Sequence, residues 1–232
     1  MTRNSPLTEK SATKGRMRVF ILESPNPMDL LRGVSESTGL ESICRLLGHE
    51  TVSFFIRSSA ELETVCNYIS SIDIRLYRKA KPLPLCIHVS AHGDKNGLQF
   101  GSDSVEWAQL AKFLSPICRS QPLYPAPRIF VLSACCADQQ KLTGEFTKAT
   151  RSKNSKTTPP QYLFVTTGED VPWADAAVAW TLLYHQLPQT LLDDRKSVQK
   201  VLDRIHNAKV WDLRYFRWDN KRREYLKYDP QE

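Results

Sequence analysis

Residues 83–93, LPLCIHVSAHG, and residues 128–138, RIFVLSACCAD, decide the fold of this chain. Each opens on an apolar run, Leu83–Ser90 and Ile129–Ala134, that is too short for a helix and does not alternate. Runs of that kind are strands buried on both faces, as in a parallel sheet. Arg18–Ser24 (RVFILES), Thr51–Ile56 (TVSFFI) and Tyr162–Thr166 (YLFVT) read the same way. Between them lie helical periodicities. The second half of Leu30–Leu47 is amphipathic and stops at Gly48, and Ser59 caps a helix through Leu62, Val65, Cys66 and Ile69. Asp103 or Ser104 caps another, with Trp107, Leu110, Ala111 and Leu114 inward. Trp173–Leu187 and Ser197–Asn207 complete the set, and Gly97–Gly101 reads as a short hairpin or edge strand. Strands alternating with helices imply right-handed crossovers and a mainly parallel sheet covered on both faces. The expected organisation is a flexible polar lead-in (1–16), one α/β domain (17–207), and a basic tail (208–232) packed on or flanking it.

Composition narrows the function classes. With 41% hydrophobic and 25% charged residues, the 232-residue chain is globular rather than disordered. It contains no apolar stretch long enough to span a membrane, and its start lacks the apolar core of a secretory signal. Six cysteines are scattered without a CxxC pair, which suits free thiols in a reducing cytoplasm and argues against zinc. No metal and no cofactor is expected. The net charge of +7 invites a nucleic-acid reading, but the charge is localised. Residues 1–18 carry five basic residues and one acid, and Lys141–Lys156 five and one. Residues 209–232 carry seven and five, which leaves the remaining body at −3. Nucleic acid is therefore an unfavoured partner.

In open parallel sheets, reactive groups collect beyond the carboxyl ends of the strands. His92 follows one apolar strand there and Cys135 follows another. An imidazole is the side chain best able to hold a thiol as thiolate near neutral pH. Gly93 permits a sharp turn whose N–H can face a carbonyl oxygen. The plainer alternatives are a surface-turn histidine and a buried strand-end thiol, with Cys136 as the rival nucleophile. His88 shares a strand face with His92 and reads as a core histidine.

The run IHVSAHGDKNGLQFGSDSVEWAQLAKFL followed by RIFVLSACCAD resembles the CHAT group of caspase-like cysteine peptidases. The downstream YLFVTTGEDVPWADAAVAWTLLYHQL and SVQKVLDRIHNA resemble that family's closing strand and helices. The resemblance spans residues 17–207, with the first part matching in pattern only. It implies a caspase-like three-layer sandwich and a regulated cysteine endopeptidase. By the same resemblance, His92 is the general base, Cys135 the nucleophile, and the N–H groups of Gly93 and Cys135 the oxyanion hole. It further implies a protein substrate, such as a pore-forming or other effector in immunity or cell-death signalling; activation is expected from a partner protein, a ligand or oligomerisation. Two departures from the family stand out: Cys136 follows the nucleophile at once, and a basic loop lengthens the segment to Tyr162.

Acidic residues near the strand ends, Asp138, Asp170 and Asp175, are substrate-binding candidates for a basic side chain, although Asp also caps turns. In Arg151–Pro160, the residues Arg151, Lys153 and Lys156 are candidate self-cleavage sites, against the alternative of an uncut solvated loop. A catalytically silent caspase-like interaction module remains the alternative function.

Overall fold

The computed structural model describes residues 15–72, 82–119, 124–152 and 156–231. The lead-in 1–14 and Lys153 lie outside the described residues. A seven-stranded sheet runs in the order β2 (Glu50–Phe55), β1 (Arg18–Ser24), β3 (Leu85–Ala91), β6 (Arg128–Ser133), β7 (Tyr162–Thr166), β8 (Leu213–Asp219), β9 (Glu224–Tyr228). The first five are mutually parallel, and β8 and β9 join antiparallel. The expected α/β class, with a mainly parallel sheet between helical layers, is what the chain adopts.

Full burial explains the continuous apolar runs, since β1, β3, β6 and β7 are covered on both faces. Alternate residues face opposite ways. Phe20, Ile87, Val89, Phe130 and Leu132 pack under α3 (Ser59–Ser70), α4 (Trp107–Leu114) and α5 (Leu142–Arg151). Val19, Ile21, Cys86, Ile129 and Val131 pack under α2 (Glu36–Leu46), α6 (Trp173–Gln186) and α7 (Arg195–Asn207). On α7 the buried residues are Val198, Val201, Leu202 and Ile205, the stripe that the spacing predicts.

Several local expectations are corrected. The helix after β2 is capped by Ser58, whose hydroxyl accepts from the Glu61 N–H, rather than by Ser59. Asp103 and Ser104 do not cap a helix. They lie in β5 (Asp103–Glu106), which pairs with β4 (Gly97–Phe100) as a separate two-stranded hairpin sheet. Asp103 instead accepts from the backbone and hydroxyl of Ser59 (2.9 and 2.8 Å). The 208–232 segment is not a tail flanking the domain: β8 and β9 extend the main sheet, and Leu213 and Tyr215 are buried in it.

Strand order places the site. From β1 the chain moves outward to β2 by way of α2 on one face. From β3 it moves in the opposite direction to β6 by way of α4 on the other face. Loops leaving β1 and β3 therefore diverge and open a crevice at their carboxyl ends, the switch point where open α/β sheets bind ligands.

Candidate active site

The parallel register of β3 and β6 pairs Ser90 with Ser133. Two residues further along each chain stand His92 and Cys135, so the register carries them to facing positions just past the sheet. Both also lie toward one side of the sheet: Ser90 and Ser133 point toward α2 and α6, and the two residues beyond them contact the segment that leads into α6. The Val171 N–H lies 3.5 Å from Cys135 Sγ, and the Trp173 ring meets the His92 ring edge-on, with centroids 5.6 Å apart.

Gly93 is dictated by its surroundings. A Cβ there would lie 2.8 Å from the Cys135 carbonyl oxygen, 2.9 Å from Leu98 Cδ2 and 3.1 Å from Ala134 Cβ. The hairpin bonds run from Gln99 N to the His92 carbonyl and from Asp94 N to the Gly97 carbonyl (2.9 and 3.0 Å). They flank Gly93 and leave its own N–H outside the ladder. Next to Cys135, the Cys136 N–H donates to Gly168 O (2.7 Å) and the Ala134 N–H to Thr166 Oγ1 (3.1 Å). No described hydrogen bond takes the Cys135 N–H.

The thiols separate by environment. Cys44, Cys66, Cys86 and Cys118 are buried, and desolvation pushes the first two and Cys118 up to about 12, so they stay protonated. Cys135 and Cys136 are the partly exposed pair. Cys136 occupies the left-handed region (φ 56°), which turns the chain away after Cys135. Its thiol is also pushed up, first by desolvation and then by Glu169, Cys135, Asp138 and Asp94.

No protein-family model and no curated protein matches this chain. Among solved structures, it is similar to caspase-1 from Spodoptera frugiperda. The alignment has 15% sequence identity, a TM-score of 0.49, and covers 88% of this chain and 84% of that one.

The substrate-binding candidates are dispersed. Asp138 is ion-paired to Arg214 at 3.1 Å and so is already engaged. Asp170 lies next to Val171 in the loop after β7, and Asp175 in the first turn of α6. A cleft of about 340 Å³ opens beside His92 and Gly93, against the β4–β5 hairpin. Its charged lining is Asp94 and Glu106 rather than those three. Of the self-cleavage candidates, Arg151 ends α5 and Lys156 is exposed. Among the described residues no group of acids, histidines and cysteines is arranged to hold a metal ion, and no helix is long and apolar enough to cross a membrane.

Sequence reasoning missed three neighbours. After β1, a short helix α1 (Pro27–Leu31) carries a capping box in which the Asn26 side chain accepts from the Asp29 N–H (2.9 Å). Asp29 Oδ2 accepts from the Asn26 N–H (3.2 Å) and lies 2.7 Å from His92 Nε2. Asn26 Nδ2 is 3.1 Å from the same ring nitrogen. The Asn-Pro-x-Asp pattern at 26–29 was a legible helix start, although Pro25 and Pro27 read more simply as the end of a strand. The third neighbour, Glu36, is buried beneath the site. It accepts from the Ser90 hydroxyl and from Ser133 Oγ (3.0 Å), and Trp180 Nε1 donates to the same Ser133 oxygen (2.8 Å).

Proposed function

We propose that this chain is a caspase-like cysteine endopeptidase working through His92 and Cys135. The observation that supports the reading is the β3–β6 register, which pairs Ser90 with Ser133, each two residues before His92 and Cys135, at the switch point of the sheet. His92 takes the Cys135 proton, and the thiolate attacks the peptide carbonyl. The N–H groups of Gly93 and Cys135 receive the oxyanion. The proton then passes from His92 to the departing amine, and water hydrolyses the acyl-enzyme. No step calls for a metal or an organic cofactor.

The enzyme acts in the cytoplasm on a protein effector in immunity or cell-death signalling, after activation by a partner. It prefers a basic side chain before the scissile bond, a preference that Asp94 and Glu106 in the cleft and Asp170 and Asp175 nearby favour by charge. Self-cleavage at Arg151, Lys153 or Lys156 follows from such a preference.

A proteomic cleavage screen of wild type beside Cys135→Ala and His92→Ala tests this. Wild type is expected to cut after Lys or Arg, with either substitution lowering the rate by roughly 10³-fold or more. Intact masses of the same samples read self-cleavage. Equal cleavage by wild type and Cys135→Ala, or none by either, would leave the silent interaction module as the function.

A further inference from the structure

Resting on the dyad proposed above, we infer that Asp29 is a positioning residue that decides which nitrogen of His92 carries the proton, making the site an Asp29–His92–Cys135 relay.

Two groups face one atom. Asp29 Oδ2 and Asn26 Nδ2 both lie within hydrogen-bond distance of His92 Nε2, at 2.7 and 3.1 Å. They ask opposite things of it. Asn26 Oδ1 is committed to the Asp29 N–H, which turns the amide NH₂ toward the ring, and that NH₂ can only donate. Alone, it would select a lone pair on Nε2 and place the proton on Nδ1. An ionised carboxylate can only accept, so Asp29 demands N–H on Nε2 and leaves the lone pair on Nδ1. The carboxylate prevails because its contact is shorter and charge-assisted, roughly twice as strong as a neutral bond. Asp29 is only 9% exposed, so solvent and salt screen its charge poorly.

The carboxylate is itself held. The Asn26 N–H fixes Oδ2 from one side, and Pro27 at the first helical position pre-sets the turn that aims it. Trp173 sits perpendicular to the imidazole and limits its rotation. With Nε2–H committed to Asp29, Nδ1 is the basic nitrogen. When the Cys135 S–H bond breaks and an Nδ1–H bond forms, the products are a thiolate and an imidazolium whose second N–H already rests on a carboxylate. Asp29 thereby favours the charged pair over the neutral one.

Other titratable and charged groups stand around this end of the sheet. They are Asp94 and Glu106 of the cleft, Cys136 and Asp138 after β6, Glu169 and Asp170 after β7, Asp175 of α6, and Glu36 beneath. Among the described residues, none of these has a hydrogen bond to the His92 ring.

The test is the rate at which iodoacetamide alkylates Cys135, located by peptide mass, from pH 5 to 9. It compares wild type, Asp29→Asn, Asp29→Glu and Asn26→Ser, each checked for native unfolding behaviour. Wild type should keep a reactive arm near pH 6. Asp29→Asn preserves an acceptor for the helix cap yet loses the charge, and its rate at pH 6 should fall about tenfold or more toward that of an ordinary thiol. Its kcat/KM for cleavage should fall roughly 10²-fold or more. Asp29→Glu should recover part of the acid arm. Asn26→Ser keeps the cap and removes the NH₂ that competes with Asp29 for Nε2, so its acid arm should be at least as strong as that of wild type. An acid arm undiminished in Asp29→Asn, or lost equally in Asn26→Ser, would overturn the role of Asp29 while leaving the dyad intact. A wild type with no acid arm would instead overturn the dyad.

Discussion

The two faces of the central sheet are built on different terms. Under α3, α4 and α5 the contact is a continuous apolar layer from Phe20 to Val165. Its buried polar strand residues, Arg18, Ser24 and Arg128, sit at strand ends, and Arg128 donates to the Ile117 carbonyl at 3.1 Å. Under α2 and α6 the amino-terminal half is equally apolar, but the carboxyl half is a polar network. Glu23 accepts from the Glu36 N–H (2.6 Å), from Ser35 Oγ (2.8 Å) and from the Ser37 hydroxyl. Glu36 bridges Ser90 to Ser133, and His88 Nδ1 meets the Tyr184 hydroxyl at 2.6 Å. His88 Nε2 is left 3.7 Å from Glu36 without a hydrogen-bond partner. Burying two carboxylates and a histidine is unfavourable relative to apolar packing. A fold selected for stability alone would put Leu and Val here, as the opposite face does. The lesson is in where the polarity sits: two residues behind His92 and two behind Cys135, with one carboxylate tying their strands together.

Changes on each face should separate stability from chemistry. The largest effect on folding is expected on the apolar side. Phe146 is 1% exposed and packs edge-on against Phe130. Phe146→Ala should cost about 4 kcal/mol in denaturant unfolding, while Cys135 in the folded fraction alkylates at the wild-type rate. On the polar side the triple change Glu36→Leu, Ser90→Ala, Ser133→Ala replaces the bridge by apolar groups. Its stability should fall by about 1–3 kcal/mol, less than for Phe146→Ala, chiefly because the Trp180 Nε1–H loses its acceptor at Ser133. Its Cys135 alkylation near pH 6 should nevertheless slow roughly tenfold. An unchanged rate would mean that the two faces differ without consequence for the site. The smallest effect belongs to His49, away from the dyad. It accepts from the Met17 N–H on Nδ1 (3.3 Å) and reaches the Tyr184 carbonyl through Nε2 (3.0 Å). Its affinity for a proton is lowered, chiefly by desolvation. The unfolded chain therefore binds a proton here before the native state does, near the ordinary value of about 6.5. Stability from this residue is complete above that pH and is lost as pH falls below it. His49→Gln should flatten this part of the acid limb in unfolding measured from pH 7.5 to 5, by less than about 1 kcal/mol.

The same contrast explains what was legible in the sequence. Strands covered on both faces announce themselves as unbroken apolar runs, and β1 and β7 have the bounds that their composition suggests. His92 and Cys135 were legible because residue type and strand end coincide. β8 and β9 were not, because only Leu213 and Tyr215 of β8 are buried and its other positions carry Arg, Phe, Trp and Asp at intermediate exposure. That stretch of basic and aromatic residues looks like a tail until β7 supplies the partner. Glu36 was illegible for a different reason. An acid in the first turn of a helix is ordinary at the surface, and only the tertiary fold turns it inward under two serines. Asp29 shares that disguise, as the third residue of a capping box.

The packing at Gly93 also has a consequence for how this sequence can vary. Two of the three atoms that a Cβ would strike belong to side chains, Leu98 and Ala134, and those can be trimmed. The nearest, the carbonyl oxygen of Cys135, belongs to the main chain and stays whatever residue stands there. In descendants that keep this site, positions 98 and 134 are free to drift together, but position 93 cannot follow. A chain carrying any other residue at 93 will have moved the end of β6, and with it the thiol.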